Sequence, residues 1–157
     1  MKSVSKIKAA PKIIVEEMTE SNIPKTLVFC EYIKMADDVA EEMKKFGFPT
    51  GTYHSGMKQK EREQMLQDFK DNKLRVMVTA KCLDEGVDVP DCELGIILGG
   101  TKVKRQMVQR LGRILRYRPG KRARMYQIYI EGTIDVLWLK KRSAELQKAA
   151  AKVTWRG

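Results

Sequence analysis

The residues best suited to do chemistry here are arginines. In QMVQRLGRILR, residues 106–116, Arg110, Arg113 and Arg116 recur every third position, with Gln109 beside them. On a helix turning about 100° per residue, Gln109, Arg113 and Arg116 fall within roughly 60° of one another. Val103, Met107, Leu111, Ile114 and Leu115 share an apolar arc on the other side, and Arg110 sits at its edge. Two readings fit this pattern. One is a solvated basic face, the rule for amphipathic helices. The other is a phosphate site, because a guanidinium forks onto phosphate in a way an ammonium cannot. Gly112 costs about 1 kcal/mol relative to Ala in a helix interior. That cost makes sense if something must approach the backbone closely. The helical pattern alone leaves both readings open.

Other stretches also carry residues that could contact a ligand. His54-Ser55-Gly56 ends one candidate strand, and Thr79-Ala80 ends another. His54 reads as a structural turn residue before it reads as a direct catalyst. Gly86-Val87-Asp88-Val89-Pro90 could be a plain turn before a strand. Asp84 and Glu85 read as a solvated pair, with metal ligation the weaker reading. The basic run at 118–124 is either a nucleic-acid contact or solubilising charge.

The elements that must position these groups alternate regularly. Residues 25–30 (KTLVFC) and 74–79 (LRVMVT) read as strands buried on both faces. Residues 49–53 are a weaker strand, 94–98 (LGIIL) a short one, and 123–130 a strand nearer the sheet edge. Helices are expected at 33–46, stopping at Gly47, at 58–69, at 103–117 and at 134–148. The predicted fold is α/β, a three-layer sandwich with a mostly parallel sheet. In such folds ligands bind beyond the carboxyl ends of the strands. The loops after the strands and the arginine helix are therefore expected to converge on one edge. Residues 1–10 read as a flexible lead-in and 12–19 as a short helix or linker. The expected division is 1–24 linker, 25–152 main domain and 153–157 tail.

The totals agree with a folded chain. With 157 residues, 43% hydrophobic and 32% charged, there is enough apolar material for one real core. Net charge is +11, which favours polyanionic partners. Between 102 and 124 there are ten Lys or Arg and no acid, so much of that surplus is local. Cys30, Cys82 and Cys92 are scattered and odd in number, which fits neither a disulfide framework nor a zinc site. That usage suits a reducing, intracellular compartment. No apolar run reaches the roughly 20 residues of a membrane span, and the N-terminus lacks a signal-peptide core. With His54 the only histidine, a His-rich metal site and a Ser/His/Asp hydrolase built around a second histidine are unsupported.

Taken together, the motifs resemble those of the second RecA-like domain of superfamily 2 helicases. Leu27-Val28-Phe29-Cys30 resembles motif IV. Tyr53-His54-Ser55-Gly56 resembles the next strand and its turn. Val78-Thr79-Ala80 through Asp84-Glu85-Gly86-Val87-Asp88-Val89-Pro90 resembles motif V. Gln109-Arg110-Leu111-Gly112-Arg113-Ile114-Leu115-Arg116 matches motif VI. Gln109 stands where DEAD-box RNA helicases usually carry His, and Ile114-Leu115 where they carry Thr-Gly. The motif is similar instead to the XPB-type DNA helicases and translocases.

The resemblance implies a division of labour. Arg113 and Arg116 would reach a nucleotide held by another domain, with Arg116 as arginine finger. Gln109 and Arg110 would couple the two domains, and Gly86 and Asp88 would line the same cleft. Ser55, Gly56, Thr79 and Ala80 would hold nucleic-acid phosphates without reading bases. The implied cofactor is ATP with Mg. The implied partners are DNA, in preference to RNA, and an N-terminal RecA-like helicase domain in cis or trans.

No G-x-x-x-x-G-K-[ST] and no D-E-x-H segment occurs in the chain. The expectation is therefore half of an ATPase site that does not turn over ATP alone. The alternative is a non-catalytic nucleic-acid-binding or adaptor module on the same fold.

Overall fold

The computed structural model describes residues 2–18, 20, 22–80, 88–98, 113–115 and 123–128. Five strands form one sheet: β1 (Thr26–Cys30), β2 (Thr50–His54), β3 (Val76–Ala80), β4 (Leu94–Leu98) and β5 (Arg124–Ile128). Their order across the sheet is β2-β3-β1-β4-β5, and all four pairings are parallel. Among the described residues the named helices are α1 (Lys2–Glu17), α2 (Ile33–Lys45) and α3 (Gln59–Lys70). The expected helix at 134–148 lies outside the described residues, as does that at 103–117 apart from 113–115.

The central strands are apolar on both sides because both faces are covered. Val28, Val76, Val78, Leu94 and Ile96 face one core with Met35, Ala36, Val39 and Met43 of α2. Leu27, Phe29, Met77 and Ile97 face the other with Tyr53, Phe69 and Ile114. This is the expected three-layer arrangement. β5 holds an edge, also as expected.

The lead-in is a correction. Residues 2–17 form one helix, and Ile7, Ala10 and Ile14 are buried in the same core as α2. Their i, i+3, i+7 spacing is an apolar stripe, overlooked beside the small and basic residues around it. Pro11 lies inside the helix without breaking it. The last turn of α1 is tied to β5, where Glu17 accepts from Arg124 Nη1 at 3.0 Å and from the Tyr126 hydroxyl.

Helix ends follow local rules. Gly47 has φ +83, its N–H reaches the Lys44 carbonyl at 2.9 Å, and Phe48 N–H reaches Met43 at 3.1 Å. That is a Schellman stop for α2. Asn72, at φ 63, ends α3 in the same way. Its side-chain oxygen also accepts from Lys25 Nζ at 3.2 Å and Arg75 Nη1 at 2.8 Å. Arg75 donates to the Ile23 carbonyl from Nε at 2.9 Å and Nη2 at 2.6 Å. These bonds gather the amino ends of the strands. Lys25 lies 5.0 Å from the Phe69 ring centre, and its pKa is lowered, first by desolvation.

Candidate functional site

Strand register aligns the carboxyl ends of the sheet. Cys30 pairs with Ala80 and Leu98, and Ala80 pairs with His54. From His54 the chain turns at once, with Met57 N–H bonding the His54 carbonyl at 3.2 Å. His54 is buried and works as a brace. Its Nδ1 accepts the Gly56 N–H at 3.1 Å, and its Nε2 lies 3.5 Å from Asp37 Oδ1 on α2. Ser55 and Gly56 are exposed above it. A Cβ on Gly56 would sit 3.1 Å from His54 Nδ1 and 3.5 Å from Ile33 Cδ1. Glycine here lets the turn close onto its own histidine. Asp37, which sequence reasoning overlooked, carried no signal beyond its place on an exposed helix face.

Thr79 and Ala80 are fully buried, and the Thr79 hydroxyl has no hydrogen-bond partner among the described residues. The side-chain surface at this edge therefore comes from Ser55 and Gly56, with Thr79 and Ala80 beneath it. The Gly56 N–H is already engaged by His54. What Gly56 offers a ligand is its bare surface.

Residues 113–115 lie elsewhere. Arg113 is exposed, Ile114 is buried, and Leu115 pairs with Cys92 in a parallel bridge. Cys92 precedes β4, so this contact is at the amino end of the sheet. Asp88 is also on that side. It is exposed and pairs with Lys70, the last residue of α3, at 3.2 Å. Val89 and Leu115 pack on the same core. The expected convergence on one edge is thus corrected for Asp88 and Arg113. Ser55 and Gly56 stand at the carboxyl edge, while Asp88 and Arg113 stand toward the opposite end. The reason is topological. Residues 113–115 pair with the stretch that enters β4, and β5, parallel to β4, also starts from that end. Gly86, Gln109, Arg110 and Arg116 lie outside the described residues.

Against known families, residues 5–118 match the model of the helicase conserved C-terminal domain. The chain belongs to the helicase C-terminal domain family. The DNA 3'-5' translocase XPB2 of Sulfurisphaera tokodaii is 41% identical over 140 residues, covering 89% of this chain and 30% of that protein. The Hef helicase domain of Pyrococcus furiosus superposes with a TM-score of 0.69 at 25% identity, over 87% of this chain and 28% of that one. A DEAD box protein from Methanococcus jannaschii gives 0.69 at 18%, over 94% and 38%, which bears on fold alone. The helicase C-terminal domain described here is thus a superfamily 2 domain on the XPB-like branch, and it spans about a third of its translocase relative.

Burial pushes the Cys92 thiol up to about 12 and raises that of Cys30 as well, so neither is a nucleophile near neutral pH. Among the described residues no three His, Cys, Asp or Glu side chains gather as a metal site, and no helix is long and apolar enough to cross a membrane.

Proposed function

We propose that this domain is the second motor domain of an ATP-dependent DNA helicase or translocase. The observation that carries the reading is the anchoring of the arginine segment. Ile114 is buried and backbone-bonded to Cys92 while Arg113 faces outward. A guanidinium carried on a fixed backbone is suited to meet a phosphate presented by another domain.

In this reading Arg113 and Arg116 reach the phosphates of ATP bound on an N-terminal RecA-like domain, with Arg116 the arginine finger. When bound, Mg-ATP supplies the phosphoryl group transferred to water, and the arginines offset the charge that builds on it. Gln109 and Arg110 link the two domains. Gly86 and Asp88 line the cleft, Asp88 at the ribose or bracing motif VI. The magnesium is held outside this chain.

Nucleic acid lies at the other end. The Ser55 hydroxyl bonds a phosphate, and Gly56 lets the strand come close. Thr79 and Ala80 form the floor from which the motif V segment leaves. Such contacts hold a backbone without reading sequence. DNA is preferred because of the wording of motif VI and the DNA translocase relative.

The test mixes the domain with an N-terminal motor domain and follows ATP turnover with single-stranded DNA. Turnover is expected only from the pair, with Arg116→Ala lowering kcat by about a thousandfold. Turnover by this chain alone, abolished by Arg116→Ala, would sink the division between domains. A pair indifferent to both Arg116→Ala and Arg113→Ala would leave a binding module.

A further inference from the structure

Tyr32 follows the central strand β1 and is 41% exposed, one of three large hydrophobic side chains left in solvent among the described residues. It occupies the N-cap of α2 in an extended conformation and makes no side-chain capping bond there. Ser, Thr, Asp or Asn would serve a helix start better, so capping does not account for a tyrosine. Nor does core packing, since the ring is not buried. Its location does. Residue 32 stands two positions beyond Cys30, whose neighbours in register are Ala80 and, one strand further, His54. At about 4.8 Å per strand, the ends of β1 and β2 lie roughly 10 Å apart. Ile33, the next residue, comes within 3.5 Å of a Cβ built on Gly56. The tyrosine and the Ser55–Gly56 turn therefore border one surface. Lys34, two residues further along, and Lys58 and Lys60, just after the turn, are exposed; Lys34 is in a loose pair with Asp38 at 3.6 Å, and Asp37 is exposed beside His54.

An exposed aromatic ring beside an exposed Ser-Gly turn is the chemistry of a single-strand platform. Every base has a π face, so such a platform tolerates any sequence. We propose that Tyr32 stacks a nucleobase of the strand whose phosphates Ser55 and Gly56 hold. The edge thereby prefers unpaired strand over duplex. This rests on the nucleic-acid reading above but adds a base contact to one that otherwise touches only backbone.

The full chain is titrated with a labelled oligothymidine and with an abasic strand of the same length. Tyr32→Ala is expected to weaken the oligothymidine complex about tenfold, within the range known for aromatic–base stacking. It leaves abasic binding unchanged, and Tyr32→Phe binds both as the wild type does. Circular dichroism checks that each variant is folded. Equal wild-type affinity for the two strands, including no binding of either, overturns the proposal. So does a Tyr32→Ala loss of the same size on both. The broader reading is separated by Ser55→Ala combined with Lys58→Ala. If that variant weakens both strands while Tyr32→Ala weakens neither, only the stacking fails. If it changes neither strand, the phosphate edge fails.

Discussion

The backbone N–H of Cys92 donates to the Ile114 carbonyl at 3.1 Å. With the Cys92–Leu115 bridge, this joins the arginine motif to the stretch entering β4. The backbone beside Arg113 is thus held by its apolar neighbours Ile114 and Leu115.

Ile114→Ala tests that anchor. Ile114 is 8% exposed and packs in the core with Phe29, Ile97 and Met125. Truncation is expected to cost about 2–4 kcal/mol, from lost burial and the cavity left behind. Urea unfolding measures it. Less than about 1 kcal/mol would mean that the segment is held by its backbone alone.

The His54 brace makes a second prediction. His54→Ala removes the acceptor of the Gly56 N–H and the partner of Asp37. Stability is expected to fall by about 1–2 kcal/mol. Single-strand binding should fall as well, because the Ser55–Gly56 turn loses its support. A variant that loses stability but binds normally would show the turn to be shaped without the histidine.

Alkaline stability carries a sign. The folded Cys92 pKa is pushed from 9.0 to about 12 by burial. Between those values the unfolded chain has lost the proton that the folded chain keeps. The folded state binds more protons there, so stability falls as pH rises. The slope approaches about 1.4 kcal/mol per pH unit for one thiol. Cys30 adds to it. Lys25, with its pKa lowered from 10.5 mainly by desolvation, acts in the opposite sense. Cys92→Ala should flatten the loss of stability above pH 9.0, read from unfolding curves across that window. An unchanged slope would show that the thiol is not protected.

Glu17→Ala tests the docking of α1. Its carboxylate joins Arg124 and Tyr126 on the edge strand. Arg124 is partly exposed, so most of the effect comes from the Tyr126 hydroxyl, which loses Glu17 as an acceptor. A loss of about 1–2 kcal/mol is expected. Faster amide exchange within residues 2–17 should accompany it, with β1 and β3 unaffected.

Much of the sheet was legible because it is local. Residues 25–30 and 74–79 are continuous apolar runs, and Gly47 marks the end of α2 as written. The motif residues were legible too, since their types and spacing carry the family. The amphipathic stripe of α1 was equally present, but its basic and small residues masked it.

The amino-acid order by itself determined the α/β alternation, the helix stops and the motifs that carry the family, because these depend on neighbours a few residues apart. Tertiary structure alone decided that Ser55 and Gly56 stand at one end of the sheet and Arg113 toward the other. It also decided that Thr79 is buried and that Tyr32 borders the turn after β2. Strand order and the return path of a crossover join residues far apart in the chain, and no local pattern encodes which of them become neighbours.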